Sequence, residues 1–242
     1  MRTNDRAPEE LRSIVFVPGY IRNVPGSILC EQGHTRVVAT ATIEERVPFF
    51  LKKSGQGWVT AEYAMLPGCS GNQRIARERA KINNRSSEIQ RFVGRALRTV
   101  LDLKAIGERT ITLDTDVIQA DGGTRCASLN AAFLALVFAL KHLVFEQMIA
   151  DFPAFQFIAA VSIGAKNGEL LADLDYEEDS RIDNDINIVS NADGALIEVQ
   201  SFCEGAAMPQ ELFIKAIALG VEKNREIIAG QKKILAAAGI PF

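Results

Sequence analysis

Val37, Ala39, Ala41 and Ile43 alternate with Val38, Thr40 and Thr42, the two-residue period of a strand that buries one face. Turn formers Pro25-Gly26 and Gln32-Gly33 punctuate the surrounding region, so the first third of the chain reads as β-rich. The period then lengthens. Ile89, Phe92, Val93, Ala96, Leu97 and Val100 recur at helical spacing behind Ser86 or Ser87, either of which can cap the helix. Arg91, Arg95 and Arg98 share another face of that helix, and Gly107 supplies a stop. A strand is predicted at 111–118, with Asp114 and Asp116 on one side and Leu113, Thr115 and Val117 on the other.

A helix starting at Cys126 stays almost wholly apolar through Val144, which predicts burial against a sheet rather than a solvent-facing side. Strands follow at 157–163, 185–189 and 196–201, and a last helix runs from Pro209 to about Leu235. Grouped strands with interspersed helices imply an α+β fold, a mixed sheet packed by helices. Without a linker, low-complexity tract or clear repeat, residues 1–242 are read as a single domain.

Composition narrows the function classes. Charged residues in the first thirty positions break any signal-peptide pattern, and the longest unbroken apolar run, 131–140, is too short to cross a bilayer. The expectation is a cytoplasmic protein without a membrane. Cys30, Cys69, Cys126 and Cys203 form no CxxC pair, which suits a reducing compartment and argues against a zinc site. The only histidines, His34 and His142, are read as structural, so a Ser–His–Asp triad is disfavoured. Net charge is −3, yet residues 72–98 hold eight Lys or Arg against two Glu, a local +6 that leaves −9 for the rest. Such a segment on an acidic body is either a polyanion site or a solvated helix face.

Three stretches carry candidate chemistry. Asp121-Gly122-Gly123-Thr124-Arg125 lies between a strand and the apolar helix, with Thr124 placed to cap it. Free N–H groups, the positive helix end and the Arg125 fork together suit a phosphate, although most double-glycine turns bind nothing. Arg85 precedes Ser86-Ser87-Glu88 at the other helix start, where the dipole does not favour a cation. A bound anion or an ion pair with a carboxylate would explain it. The acidic tract Asp173, Asp175, Glu177, Glu178, Asp179, Asp183 and Asp185 is the third. If its strand extends back from Arg181, Asp179 and Asp185 reach one point and make a magnesium site; otherwise the tract is an acidic loop. Taken together, the three stretches suggest metal-assisted handling of phosphates, in which the protein neutralises and positions charge.

Long blocks of this sequence resemble the ribonuclease PH family: GSILCEQGHTRVVATATIEERVP (26–48), GQGWVTAEYAMLP (55–67), RSSEIQRFVGRALR (85–98), LKAIGERTITLDTDVIQADGGTR (103–125) and DLDYEEDSRIDNDINIV (173–189). The resemblance implies a phosphate-dependent 3′→5′ exoribonuclease that trims tRNA precursors, releases nucleoside diphosphates and forms a homohexameric ring, a trimer of dimers. It implies inorganic phosphate as co-substrate at Arg85, Gly123, Thr124 and Arg125. It also implies a divalent metal, magnesium, linked to the catalytic acids Asp179 and Asp185. Arg74, Arg77, Arg79 and Lys81 are the candidate RNA contacts in the basic segment. The segment GCSGNQRIARERAKINN departs from the family's usual longer, more basic loop, Asn83 and Asn84 replace small residues before Arg85, and Asn4 is unusual at its position. Two alternatives stand beside this reading: a non-catalytic RNA-binding ring subunit of the exosome kind, and a metal-dependent phosphatase or nucleotide enzyme.

Overall fold

The structure, a computed structural model, describes residue 2 and residues 5–71, 74–77, 83–203 and 207–242. Among these described residues the architecture is α+β, with two sheets and four α-helices. The first sheet has the order β1-β2-β3-β5-β4, built from β1 (Ile14–Pro18), β2 (Gly26–Gln32), β3 (Thr35–Glu44), β4 (Trp58–Met65) and β5 (Thr110–Gln119). All its pairings are antiparallel except that of β4 with β5. The second sheet is antiparallel, ordered β7-β6-β8-β9 from β6 (Ile158–Lys166), β7 (Glu169–Ala172), β8 (Asn184–Asn191) and β9 (Leu196–Cys203).

Helix α2 (Thr124–Phe145) lies between the sheets, touching β2, β3 and β5 on one side and β6 on the other. That double coverage is why its sequence lacks a polar face. By length and composition α2 could cross a membrane, but here it is largely buried in the protein core. Its internal polar residue Asn130 is satisfied, donating to the Ala160 carbonyl (2.9 Å) and accepting from the Ala160 N–H (2.8 Å), which fastens α2 to β6. Helix α1 (Asn84–Leu97) covers β4 with the apolar stripe read from the sequence, and Ile89, Phe92, Val93, Ala96 and Leu97 are fully buried. Helix α4 (Gln210–Ala237) covers β6 and β8, so β6 is buried nearly throughout, as its mostly apolar sequence requires.

Several boundaries differ from the sequence reading. The α1 cap is Asn83, whose carboxamide accepts from the Ser86 N–H at 2.7 Å, while Ser86 is buried within the first turn. Asparagine caps as well as serine, so the unusual Asn83 has a structural role. The helix ends at Leu97, and Gly107 instead closes a separate 3-10 turn, Leu103–Ile106. Helix α2 begins at Thr124, so its cap is Gly123 in the left-handed conformation (φ 66°), and Thr124 is its first residue. The strand through the acidic tract starts only at Asn184. Asp179 ends a short helix, α3 (Tyr176–Asp179), because Asp175 and Glu178 form a reciprocal capping box that diverts the chain from strand geometry. Asn4 lies outside the described residues.

Candidate functional site

The N-terminal ends of α1 and α2 meet beside β4. Along that strand Val59, Ala61 and Tyr63 turn inward, and the Tyr63 hydroxyl shares a 3.0 Å hydrogen bond with Thr124 Oγ1 in the first turn of α2. Burial pushes the Tyr63 phenol up from its ordinary value. The hydrogen bond to Thr124 and the charges of Arg85 and Arg125 act against that rise. Arg85 and Arg125, forty residues apart in the chain, thus both act on the Tyr63 hydroxyl through their charge, and Thr124 is its hydrogen-bond partner. Arg85 is the second residue of α1 rather than a residue ahead of it. Positive charge from Arg85 and Arg125, each in the first turn of its helix, makes a setting that favours an anion.

The glycine turn that feeds α2 is gripped from behind. Thr35 in β3 donates to the Gly122 carbonyl (2.7 Å) and accepts from the Asp121 N–H (2.9 Å). A Cβ on Gly122 would sit 2.5 Å from the Leu174 carbonyl oxygen, and its φ is 73°, so this position excludes any other residue. Arg12 donates to the Asp121 carbonyl and binds Asp173 through Nε (3.0 Å) and Nη2 (2.7 Å), and Gln32 adds a 2.6 Å bond to the same carboxylate. Burial alone would push Asp173 up, but the Arg12 guanidinium and the hydrogen bonds hold it below the usual carboxylate range.

Much of the acidic tract is thereby structural. Asp173 locks to Arg12, and Asp175 caps α3. Glu178 binds Arg2 Nε (2.8 Å) and Arg6 Nη2 (3.0 Å). Asp185, half-buried in β8, accepts from the Asn187 carboxamide at 2.8 Å. The Cys126 thiol, two residues after Thr124, donates to Asn187 Oδ1 at 3.3 Å, which joins Asp185 to the start of α2. Burial raises the Cys126 thiol far above its ordinary value, so it is no thiolate nucleophile. Asp179 is exposed at the end of α3, across a short turn from Asp185. Among the described residues no group of three or more His, Cys, Asp or Glu is placed to hold a metal. Two carboxylates still suit a hard cation that keeps most of its water.

Arg125 is not bare. Its Nη1 donates to Glu88 Oε1 of α1 at 2.9 Å and to the Gln200 side-chain oxygen of β9. Its guanidinium carbon lies 6.0 Å from the Phe92 ring centre and 5.8 Å from that of Phe202. Sequence reasoning gave no role to Glu88, Gln200, Phe202 or Tyr63. Only Tyr63 left a signal, as an inward tyrosine on a strand that needs a partner for its hydroxyl. Of the other helix arginines, Arg95 pairs with Glu198 and Arg98 donates to the Val59 carbonyl beneath the Trp58 ring, so these two brace the fold. Arg74 and Arg77 are exposed on the loop that follows β4, whereas Arg79 and Lys81 lie outside the described residues.

The fold has known counterparts. The structure is similar to rice (Oryza sativa) Rrp46, with a TM-score of 0.78 at 18% identity over 97% of this chain and 100% of that one. It is similar to a chain of the Archaeoglobus fulgidus exosome with RNA bound to its active site, with a TM-score of 0.79 at 20% identity over 93% and 91% of the two chains. An archaeal exosome core chain matches with a TM-score of 0.75 at 19% identity over 94% and 89%. These likenesses establish a shared fold. In sequence, residues 10–141 match domain 1 of the 3′ exoribonuclease family and residues 156–223 match domain 2. The two matches meet across the Cys126–Asn187 contact and together span most of the chain, which belongs to the ribonuclease PH family of 3′ exoribonucleases.

Proposed function

We propose that this protein is a phosphate-dependent 3′→5′ exoribonuclease that trims tRNA precursors and other RNA 3′ ends. The observation that supports the reading is the Tyr63–Thr124 hydroxyl pair at the start of α2, on which the charges of Arg85 and Arg125 both act. Inorganic phosphate held there by charge-assisted bonds is the nucleophile. One of its oxygens attacks the phosphorus of the terminal phosphodiester. The bond to the preceding ribose O3′ breaks as the new bond forms, O3′ takes the proton of the hydrogen phosphate, and the last nucleotide leaves as a diphosphate. An ester bond is exchanged for an anhydride, so the reaction is reversible.

Asp179 and Asp185 would hold the divalent cation, magnesium, and the oxygen donors at the site fit that ion. When bound, the cation neutralises charge on the phosphoryl oxygens. Tyr63 and Thr124 orient the phosphate, the Gly122–Gly123 turn opens backbone N–H groups to it, and exposed Arg74 and Arg77 draw in the RNA strand. The free cysteines suit work in the cytoplasm, and a homohexameric ring is the assembly proposed. The test is the reverse reaction. Supplied with excess nucleoside diphosphate and little phosphate, the protein lengthens RNA 3′ ends. Shortening that ignores phosphate, with no lengthening, would mark a hydrolase.

One observation favours a second reading. Arg125 is already engaged by Glu88 and Gln200, as expected of a non-catalytic ring subunit that only binds RNA. RNA binding without turnover in either direction would decide for it.

A further inference from the structure

Phe202 stands out in the candidate site. It is 47% exposed, an apolar ring beside the Arg125 guanidinium. Single exposed apolar side chains are common and mean little by themselves. This one, however, is fixed at the site by register. Phe202 pairs across the β8–β9 ladder with Asp185, and Gln200 pairs with Asn187, so all four side chains share one face of the second sheet. That face meets the start of α2, since Asn187 accepts from Cys126 and Gln200 accepts from Arg125. The Arg125 guanidinium lies near both Phe92, fully buried, and Phe202, which is partly open to solvent.

Resting on the phosphorolytic reading above, we infer that Phe202 is a stacking platform for the base of the 3′-terminal nucleotide. A nucleotide whose phosphate is near Arg125 and Asp185 carries its base one sugar away. A ring 5.8 Å from the guanidinium carbon and directly across from Asp185 lies within that reach. Every base has a π-face, so stacking holds any terminal residue without reading sequence, as stepwise removal of nucleotides requires. Phe202 is thus a positioning residue for the scissile nucleotide, separate from the groups that hold phosphate.

The experiment measures binding without turnover, in the absence of phosphate and metal. Fluorescence anisotropy with a 5′-labelled single-stranded RNA is compared with the same RNA made abasic at its 3′-terminal nucleotide. Stacking of about 1–3 kcal/mol per base predicts that the full protein prefers the base-bearing end by roughly fivefold or more. Phe202→Leu, which keeps apolar bulk for folding and removes the π-face, brings the preference close to one, and Phe202→Trp restores it. An abasic end bound equally well by the unaltered protein overturns the inference. So does a Phe202→Leu variant that keeps the full preference, or one that changes only the mass of the assembly. The preference can persist in a protein that never phosphorolyses RNA. In that case the functional reading fails and the platform stands.

Discussion

Two arginine–carboxylate pairs flank the same glycine turn and differ in almost every physical respect. Behind the turn, the side chains of Arg12 and Asp173 are 5% and 0% exposed, joined by two side-chain bonds and reinforced by Gln32. In front of it, the side chains of Arg125 and Glu88 are 14% and 40% exposed, joined through one guanidinium nitrogen. A buried pair cannot lose one member without stranding the other charge, whereas a half-exposed pair can exchange its carboxylate for water or another anion. The first pair holds the turn in place; in the second, Glu88 occupies the face of Arg125 that the proposed phosphate would take.

The largest expected effect breaks the rear pair. Asp173→Ala leaves Arg12 buried and unpaired and costs about 3–5 kcal/mol of stability, seen as a lower urea midpoint. The same carboxylate has an acid signature. Because its folded value is depressed below the ordinary 3.8, its stabilisation is complete above that value and is lost only as pH falls through the folded one. Asp173→Asn should therefore flatten the acid limb of the stability profile below about pH 4 and leave its shape near neutrality unchanged.

In the front pair the effects move from stability to kinetics. Arg125→Ala or Arg85→Ala should raise the phosphate requirement by one to two decades, since a charge-assisted bond contributes about 1.5–3 kcal/mol. The urea midpoint should shift far less than for Asp173→Ala, and equal losses in both would erase the contrast between the two pairs. Glu88→Gln removes the competing charge and keeps the shape. It should change stability by less than about 1 kcal/mol and lower the phosphate requirement; a raised requirement would show that Glu88 aims Arg125 rather than occupying its place. The smallest effect belongs to the exposed loop. Arg74→Glu with Arg77→Glu should reduce the salt slope of single-strand RNA binding by roughly 0.7 for each RNA phosphate left unneutralised, and an unchanged slope would show a merely solvated surface.

The contrast also explains what could be read from the sequence. Strand β3 and helices α1 and α2 declare themselves through periodicity, and Thr124, Arg125 and Arg85 through their places at helix starts. The acidic tract misleads because Asp173, Asp175, Glu178 and Asp179 look alike in a row. The environments of Asp173 and Glu178 are set by Arg2, Arg6 and Arg12, more than 160 residues away along the chain. Capping boxes are local, and Asp175 with Glu178 matches that spacing, yet a strand pattern through Asp183 and Asp185 obscured it. Gln200 and Phe202 join the site through the register of β8 with β9, which no single strand encodes.

The central claim is that the corner formed by Arg85, Thr124 and Arg125 holds the attacking phosphate. The most direct measurement is mass analysis of products from a short RNA incubated with magnesium and ¹⁸O-labelled inorganic phosphate. The account predicts nucleoside diphosphates carrying the label in the β-phosphate, at a rate that rises with phosphate and collapses in Arg125→Ala. Unlabelled nucleoside monophosphates, formed equally well without phosphate, would contradict it.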